Sequence, residues 1–146
     1  MSPSQQRLAL ATYVRLMRAT NSARTNASRS LAASGLTLTQ FAVLEALYHL
    51  GPMSLSEIAA KVLTTGGNLT MVAGNLERDG SVERQQSLQD KRVQVLRLSL
   101  KGKAIMRRIF PLHAAAITDF MSALTQKEQE ELGELCRKLG QENEFG

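Results

Sequence analysis

The sequence is poor in the residues on which many enzymes and secreted proteins depend. It has one Cys, so the chain alone can form no disulfide, and it has two His among its 146 residues. Neither His49 nor His113 has a second His, Cys or carboxylate at metal-ligand spacing. No phosphate-binding loop, nucleophile elbow or Cys beside a base is present either. The sequence therefore predicts no enzyme, no metal site and no cofactor.

Aromatic side chains and long apolar runs are also scarce. Aromatic residues make up 4% of the chain and Trp is absent, which favours a helical core of Leu, Ala, Val and Met over a β-sandwich. No apolar stretch approaches the roughly 18 residues that a membrane span needs, and no signal peptide or lipidation motif is visible. With 43% hydrophobic and 21% charged residues, the chain is typical of one soluble domain. We therefore expect a cytoplasmic protein with no membrane partner.

The charge is basic overall and unevenly distributed. The formal net charge is +5 and the isoelectric point is near 9.8. Residues 1–53 hold five basic and one acidic side chains, residues 54–108 hold ten and five, and residues 109–146 hold three and seven. An anionic partner such as DNA would therefore meet the first three quarters of the chain, while the acidic C-terminal part would face away from it.

Residues 54–99 contain two short helical patterns followed by two strand-like runs. Ser54 and Glu57 have the spacing of a capping box, in which each side chain accepts a hydrogen bond from the other residue's backbone N–H. Apolar residues recur at a period of 3.6 in both helical patterns. The first set is Leu55, Ile58, Ala59 and Val62, and the second is Leu69, Val72, Ala73 and Leu76. A tight turn joins the two patterns, so the sequence predicts a helix-turn-helix.

The second helix presents a polar face opposite its apolar one. That face holds Gly67, Thr70, Met71, Gly74, Asn75 and Arg78. Thr, Asn and Arg are groups that hydrogen-bond base edges and phosphates in a major groove, although an ordinary solvated face has the same composition. A glycine inside a helix costs about 1 kcal/mol relative to alanine. Gly66, Gly67 and Gly74 are therefore either tolerated, or cap the turn, or are required where another backbone or a DNA strand comes close.

The strand-like runs form a hairpin with a charged tip. Residues 82–84 and 93–98 can pair, and Asp90, Lys91 and Arg92 lie between them. An Arg at such a tip can enter a minor groove, and a carboxylate can hold its guanidinium. The helix-turn-helix and this hairpin together predict a winged helix-turn-helix.

These residues resemble the MarR family of winged-helix transcriptional regulators. The segment NLERDGSVER is similar to the family's "L-E-x-x-G-L-V-x-R", and Asp90-Lys91-Arg92 before VQVLRLSLKG is similar to "D-x-R … L-T-x-x-G". Ser81 replaces the usual Leu and Ser99 the usual Thr. The resemblance implies that Arg92 enters the minor groove and that Asp90 orients it. It also implies a mainly α fold with a small β-hairpin wing, in which residues 36–100 form the DNA-binding region.

Long helical patterns flank that region. Ser2 and Pro3 can begin a helix of about 30 residues that nothing interrupts before Gly35. A helix of this length packs either against another chain or across its own domain. Thr37 and Gln40 form a second capping box, opening a helix that ends at Gly51-Pro52.

The C-terminal pattern divides into two helices. One runs from Lys101 to about Leu124 with a kink expected at Pro111, and a third capping box at Thr125 and Glu128 opens the last. Its apolar face holds Leu132, Leu135, Cys136 and Leu139. Residues 1–35 and 101–146 are predicted to form a two-fold dimer with recognition helices about 34 Å apart.

The resemblance also implies a small-molecule effector, anionic or aromatic, bound where the dimer helices meet the DNA-binding region. The predicted lining is Tyr13, Met17, Thr20, Leu44, Tyr48 and His49, with Arg15 or Arg18 available to pair an anion. The same residues can equally be core. Cys136 is expected to be buried in apolar surroundings and inert. Redox-sensing members of the family carry their reactive Cys in the N-terminal helix, where this chain has none.

The hypothesis that follows is a homodimeric DNA-binding regulator, a repressor released by an effector, that reads a pseudo-palindromic operator in double-stranded DNA. The predicted DNA contacts are Ser54, Thr65, Gly66, Gly67, Asn68, Thr70, Met71, Asn75, Arg78, Asp90, Lys91 and Arg92. Two alternatives use the same fold. A winged-helix protein-interaction module would show little salt-dependent DNA affinity, and a nucleoid protein would bind all DNA alike. The operator sequence, the regulated genes and the sign of regulation stay open.

Overall fold

Helices dominate the part of the chain that the computed structural model describes, residues 1–62 and 68–144, with side chains described to residue 141. The helices are α1 (Pro3–Ser30), α2 (Leu38–Leu50), α3 (Leu55–Lys61), α4 (Leu69–Arg78), α5 (Leu100–Met121) and α6 (Gln126–Glu144). The strands are β1 (Met53–Ser54), β2 (Val82–Gln86) and β3 (Gln94–Leu98). The predicted mainly α fold with a small β wing is confirmed.

The first helix begins where the sequence predicted and has about the predicted length. The hydroxyl of Ser2 accepts a hydrogen bond from the backbone N–H of Gln5 at 3.2 Å, and Pro occupies the first turn. The α-helix stops at Ser30 after 28 residues, because a 3-10 turn over Ala32–Ser34 follows. Gly35 then takes the left-handed conformation at φ +74° that glycine adopts readily.

Two of the three predicted capping boxes further along the chain are confirmed. Thr37 and Gln40 exchange both bonds at the start of α2, and Thr125 and Glu128 do so before α6. The box at Ser54 is wrong in one half. Its hydroxyl caps Glu57, but the Glu57 carboxylate accepts from that hydroxyl at 3.1 Å and not from the Ser54 backbone. The reason is that the Ser54 backbone belongs to β1, where it pairs with Val95.

The three strands form one antiparallel sheet in the order β1-β3-β2. The predicted hairpin is confirmed, with its register running from Val82 opposite Leu98 to Gln86 opposite Gln94. The second strand begins at Gln94, one residue later than predicted. Val93 instead closes the tip, because its carbonyl accepts from the Ser87 backbone N–H at 2.8 Å. The two-residue strand β1 was not predicted, since so short a segment carries no period.

The core lies where α2 meets α3, α4, α5 and the sheet. The side chains buried deepest are Leu31, Phe41, Val43, Leu44, Ile58, Leu76, Val82, Leu96 and Met106. The apolar face predicted for α3 includes Ile58, which is buried, and Ala59, which is exposed. The helix α5 continues through Pro111, and a kink there stays a prediction. At its first turn Ser99 caps the helix by accepting from the Gly102 backbone N–H at 3.0 Å.

The apolar face of α6 is exposed in the single chain. Leu132 is 39% and Leu135 65% accessible, and Cys136 is also exposed. The prediction that Cys136 is buried is therefore wrong for one chain alone. The reason is that the described α6 side chains lie outside the buried core of the single chain.

Candidate nucleic-acid interface

Both ends of α4 are fixed by local hydrogen bonds. At the start, the Asn68 side-chain oxygen accepts from the Met71 backbone N–H at 3.3 Å. At the end, Gly80 has φ +78°, its N–H bonds to the Glu77 carbonyl, and the Ser81 N–H bonds to the Leu76 carbonyl at 2.9 Å. This is a Schellman motif, which needs a left-handed residue at that position. The helix therefore has a defined start and a defined end.

The polar face predicted for α4 does point away from the core. Ala73 and Leu76 are buried, whereas Thr70, Met71 and Arg78 are exposed and Asn75 is half-buried. The Arg78 guanidinium donates to the Asn75 side-chain oxygen at 3.3 Å. Contact of these side chains with DNA stays a prediction. Thr65, Gly66 and Gly67 lie outside the described residues.

Gly74 lies on the same helix with empty space beside it. A Cβ built there would have no heavy atom of the described residues within 4 Å, apart from its own helix backbone and chain neighbours. Close approach by another described segment of this chain therefore does not explain the glycine. Gly74 is therefore either simply tolerated in α4 or required because a DNA strand comes close.

At the wing tip, Arg92 is hydrogen-bonded to Asp90. Two parallel hydrogen bonds, each 3.1 Å, join the Arg92 guanidinium to the two oxygens of Asp90. The Arg92 backbone N–H adds a third to Asp90 at 3.0 Å, while the Arg92 side chain stays 90% accessible. These hydrogen bonds, the side-chain pair first and the backbone bond second, lower the pKa of Asp90 below its ordinary value. The predicted pairing of Asp90 with Arg92 is thus present in the geometry.

Other contacts tie the tip loop to itself. The Ser87 hydroxyl accepts from the backbone N–H groups of Gln89 and Asp90 at 3.2 and 3.3 Å. The Gln86 side chain donates to the carbonyl of Lys91 at 2.6 Å, leaving the Lys91 side chain exposed. The tip therefore offers two adjacent cations at a fixed place.

Two ion pairs that were not predicted from the sequence involve the strands of the wing. Glu77 of α4 pairs with Arg84 of β2 at 3.4 Å, and Glu83 pairs with Arg97 across the hairpin at 2.9 Å. The register places Glu83 directly opposite Arg97, so this pair was recoverable from the sequence once the strands were aligned. Exposed pairs of this kind contribute roughly 0 to 1 kcal/mol each, so they position the wing more than they stabilise the fold.

Ser54 does not belong with the exposed contact residues. It is 7% accessible, and its hydroxyl is engaged with Glu57 and Ser56. Its predicted role as a DNA contact is therefore replaced by that of a helix cap, because the side chain points into the start of α3.

The comparisons with known proteins agree with this geometry. The model of the MarR family matches residues 36–93. The transcriptional regulator MhqR of Bacillus subtilis is 35% identical over 128 residues, which cover 88% of each chain. This chain belongs to the MarR family. It is a winged-helix DNA-binding transcriptional regulator.

Further relatives and structures fit the same family. The regulator YkoM of Bacillus subtilis is 41% identical over 106 residues, 73% of this chain and 69% of YkoM. The transcriptional repressor MprA of Escherichia coli is 31% identical over 116 residues, 78% of this chain and 66% of MprA.

Two solved structures of the MarR family are also similar. A MarR family regulator of Streptomyces coelicolor, solved in complex with DNA, superposes with a TM-score of 0.81 at 24% identity over 96% of this chain and 88% of its own. A MarR family protein of Mycobacterium tuberculosis, solved with p-aminosalicylic acid, superposes with a TM-score of 0.67 at 28% sequence identity. The match covers 87% of this chain and 96% of that protein. Among the described residues, no helix of the MarR chain is long and apolar enough to cross a membrane.

The effector site implied by the resemblance stays a prediction for this MarR chain, and its residues differ in burial. Leu44 is fully buried in the core, as the alternative reading of these residues expected. Tyr13 and Met17 are 59% and 38% accessible on α1, and the Thr20 hydroxyl donates to the Leu16 carbonyl. Tyr48 and His49 line two different cavities at the end of α2.

The larger of these cavities lies between α2, the hairpin and the start of α5. It measures about 700 Å³ and is open to one side. Its lining is Leu47, Tyr48, Gly51, Pro52, Glu83, Arg97, Leu98, Ser99, Leu100, Lys103 and Arg107. Arg97, Lys103 and Arg107 outnumber the one carboxylate, Glu83, which is already paired with Arg97. The cavity combines an apolar floor with excess positive charge.

A second cluster joins the long helices. The His113 ring of α5 packs on Phe41 of α2 at 4.4 Å between centroids, and its Nδ1 lies 3.3 Å from the Ser30 hydroxyl of α1. Burial lowers the pKa of His113, while the negative charge of Glu45 opposes that shift. Among the described residues, no group of His, Cys, Asp or Glu could hold a metal ion.

Proposed function

We propose that this MarR family regulator is a homodimeric repressor that places α4 in the major groove and Arg92 in the minor groove of a pseudo-palindromic operator. The observation that carries the proposal is the Asp90–Arg92 pair. A guanidinium held by two hydrogen bonds and still 90% accessible is oriented in advance of binding. Little side-chain freedom is then lost when it enters a groove.

The proposed contacts also include exposed residues of the wing tip and of α4. Lys91 lies beside Arg92 at the tip, and α4 contributes the exposed Thr70, Met71 and Arg78. Asn68 and Asn75 border this surface, and Thr65, Gly66 and Gly67 of the preceding segment are included in the proposal. Because the acidic side chains concentrate beyond residue 109, the opposite end of the chain would face away from phosphate.

The proposal is tested by comparing Arg92→Ala with Arg137→Ala. Both variants remove one arginine that pairs with a carboxylate, but Arg137 pairs with Glu134 on the acidic helix α6. Operator DNA is first selected from fragmented genomic DNA at about 150 mM salt, where non-specific binding is weak. We expect Arg92→Ala to lose about 10-fold or more in operator affinity and about one unit of salt slope.

The outcomes of this test separate the alternatives. An operator affinity of Arg92→Ala equal to that of the wild type would remove Arg92 from the interface. Retention of all fragments alike by the wild type would favour a nucleoid protein. No retention at all would favour a protein-interaction module. Repression, which the name of MprA supports, is tested by transcription from the selected operator with and without the protein.

The proposed dimer interface uses residues 1–35 and 101–146. Leu8, Leu10 and Tyr13 on α1 are 67%, 65% and 59% accessible, and Leu135 on α6 is 65% accessible. Burying such side chains releases roughly 25 cal/mol per Å² of apolar surface, which favours association. Sedimentation equilibrium of the wild type should give twice the mass of the chain, and Leu135→Glu should shift the equilibrium to the monomer. A monomeric wild type would contradict the proposal.

The proposed effector is a small aromatic anion bound in the cavity lined by Tyr48, Lys103 and Arg107. Its size falls within the range of ligand pockets, and its charge suits a carboxylate. We would titrate p-aminosalicylate, which one structural relative binds, into the protein–operator complex. Release from the wild type and from Lys138→Met, but not from Lys103→Met, is the expected result. Equal release from both variants would place the ligand elsewhere. Such a regulator would act without catalysis, in the cytoplasm beside the chromosome.

A further inference from the structure

The outward face of α4 contains one large apolar side chain. Met71 is 61% accessible on a helix whose opposite side, at Ala73 and Leu76, is almost fully buried. It therefore contributes little to the core. The hydrogen bond from its backbone N–H to Asn68 fixes the turn from which the side chain leaves.

Gly74 leaves this side chain room. Residues three apart on a helix lie on the same face, and a helical side chain covers the turn that precedes its own Cα. A side chain at position 74 would thus cover the surface beside Thr70 and Met71. No heavy atom of another described element lies within 4 Å of the missing Cβ. The chain accepts a residue that destabilises a helix relative to alanine, and no packing within the described chain uses it.

We propose that Met71 and the space beside Gly74 receive the C5-methyl group of a thymine in the operator. Thymine is the base that presents a methyl group in the major groove, and apolar side chains recognise it there. The unbranched thioether of methionine adapts to such a group. Thr70 and Arg78, exposed on the same side, supply polar contacts around it. The inference rests on the proposed placement of α4 in the major groove.

The test removes the methyl group alone. In the selected operator, each thymine is replaced in turn by deoxyuridine, at symmetric positions of both half-sites. We expect one position at which wild-type affinity falls about 4-fold per half-site, as the loss of one buried methyl group predicts. Met71→Ala should bind the thymine and uracil operators equally, and Met71→Leu should still prefer thymine. Gly74→Ala should lose affinity for the thymine operator and lose less for the uracil one.

The controls keep the reasons for failure apart. Thermal melting should show that both Met71 variants fold, since that side chain is largely exposed. The sensitive thymine is also replaced by 5-methylcytosine, with its partner changed to guanine. Retained affinity means that the methyl group suffices, and lost affinity means that the whole base is recognised. If wild-type affinity is unchanged at every deoxyuridine position, or if Met71→Ala keeps the discrimination, the inference is wrong while the regulator stands. If no operator is selected at all, the proposed function and the inference fail together.

Discussion

Replacing Gly102 by alanine should destabilise the protein although alanine is the better helix former. Gly102 lies in the first turn of α5 and is buried. A Cβ added there would lie less than 3.0 Å from the Ser81 carbonyl oxygen, 3.1 Å from a Leu98 methyl and 3.2 Å from the Ser81 carbonyl carbon. Two of these three atoms belong to the backbone, so no rotamer change relieves the contact.

The size of the effect follows from what must move. The Ser81 carbonyl accepts from the Ser99 backbone N–H at 3.1 Å, and moving it away from Gly102 weakens that bond, worth about 1 kcal/mol. Overpacking adds about 1 to 3 kcal/mol, while the better helix propensity of alanine returns about 1 kcal/mol. We expect a net loss of about 1 to 3 kcal/mol in the free energy of unfolding. In a chain of this length that lowers the melting temperature by about 3 to 10 °C.

The assay is thermal and urea unfolding at one protein concentration, with Gly74→Ala as the matched control. Gly74 also lies inside a helix, but a Cβ there meets no heavy atom of another described element within 4 Å. The control should therefore gain up to about 1 kcal/mol. If Gly102→Ala proves as stable as Gly74→Ala, the close approach of α5 to the Ser81 backbone is not a constraint and the reasoning is refuted.

Three further predictions concern the wing, a helix cap and a buried histidine. Asp90→Asn should weaken operator binding less than Arg92→Ala, because the amide keeps one acceptor but loses the charge; equal losses in a binding titration would contradict this. Thr37→Ala should cost about 1 kcal/mol in urea unfolding, since both bonds of its capping box are made. Because burial lowers the pKa of folded His113, the neutral form is favoured. The contribution of His113 to the free energy of unfolding should therefore be fully present above about pH 6.5 and be lost as the pH drops below it. This loss should be smaller in His113→Gln than in His49→Gln.

The order of elements was predictable because local rules determine it. Ser2, Thr37 and Thr125 each precede a Gln or Glu by three residues, and all three caps are formed. The wing was predictable because an acidic and a basic residue two apart in a polar tip can pair locally. Asp90 and Arg92 do so without help from the rest of the chain.

Contacts between distant segments were not predictable in the same way. The sequence shows Ser54 as one end of a capping box, but only the sheet reveals that its backbone pairs with β3. Leu44 has the same helical phase whether it lines a pocket or fills the core, and burial decided for the core. The cationic cavity joins α2, β2, β3 and α5, so its members Tyr48, Glu83 and Arg107 share no sequence pattern.

The start of α5 contacts the residues that follow α4. Three contacts join it to the end of α4: the Ser99 hydroxyl donates to the Gly80 carbonyl, the Lys101 amine donates to the Asp79 carbonyl, and Gly102 packs on Ser81. The other half of α5 reaches α1, where His113 contacts Ser30. The single helix α5 therefore contacts residues 79–81, which follow α4, at one end and α1 in its other half.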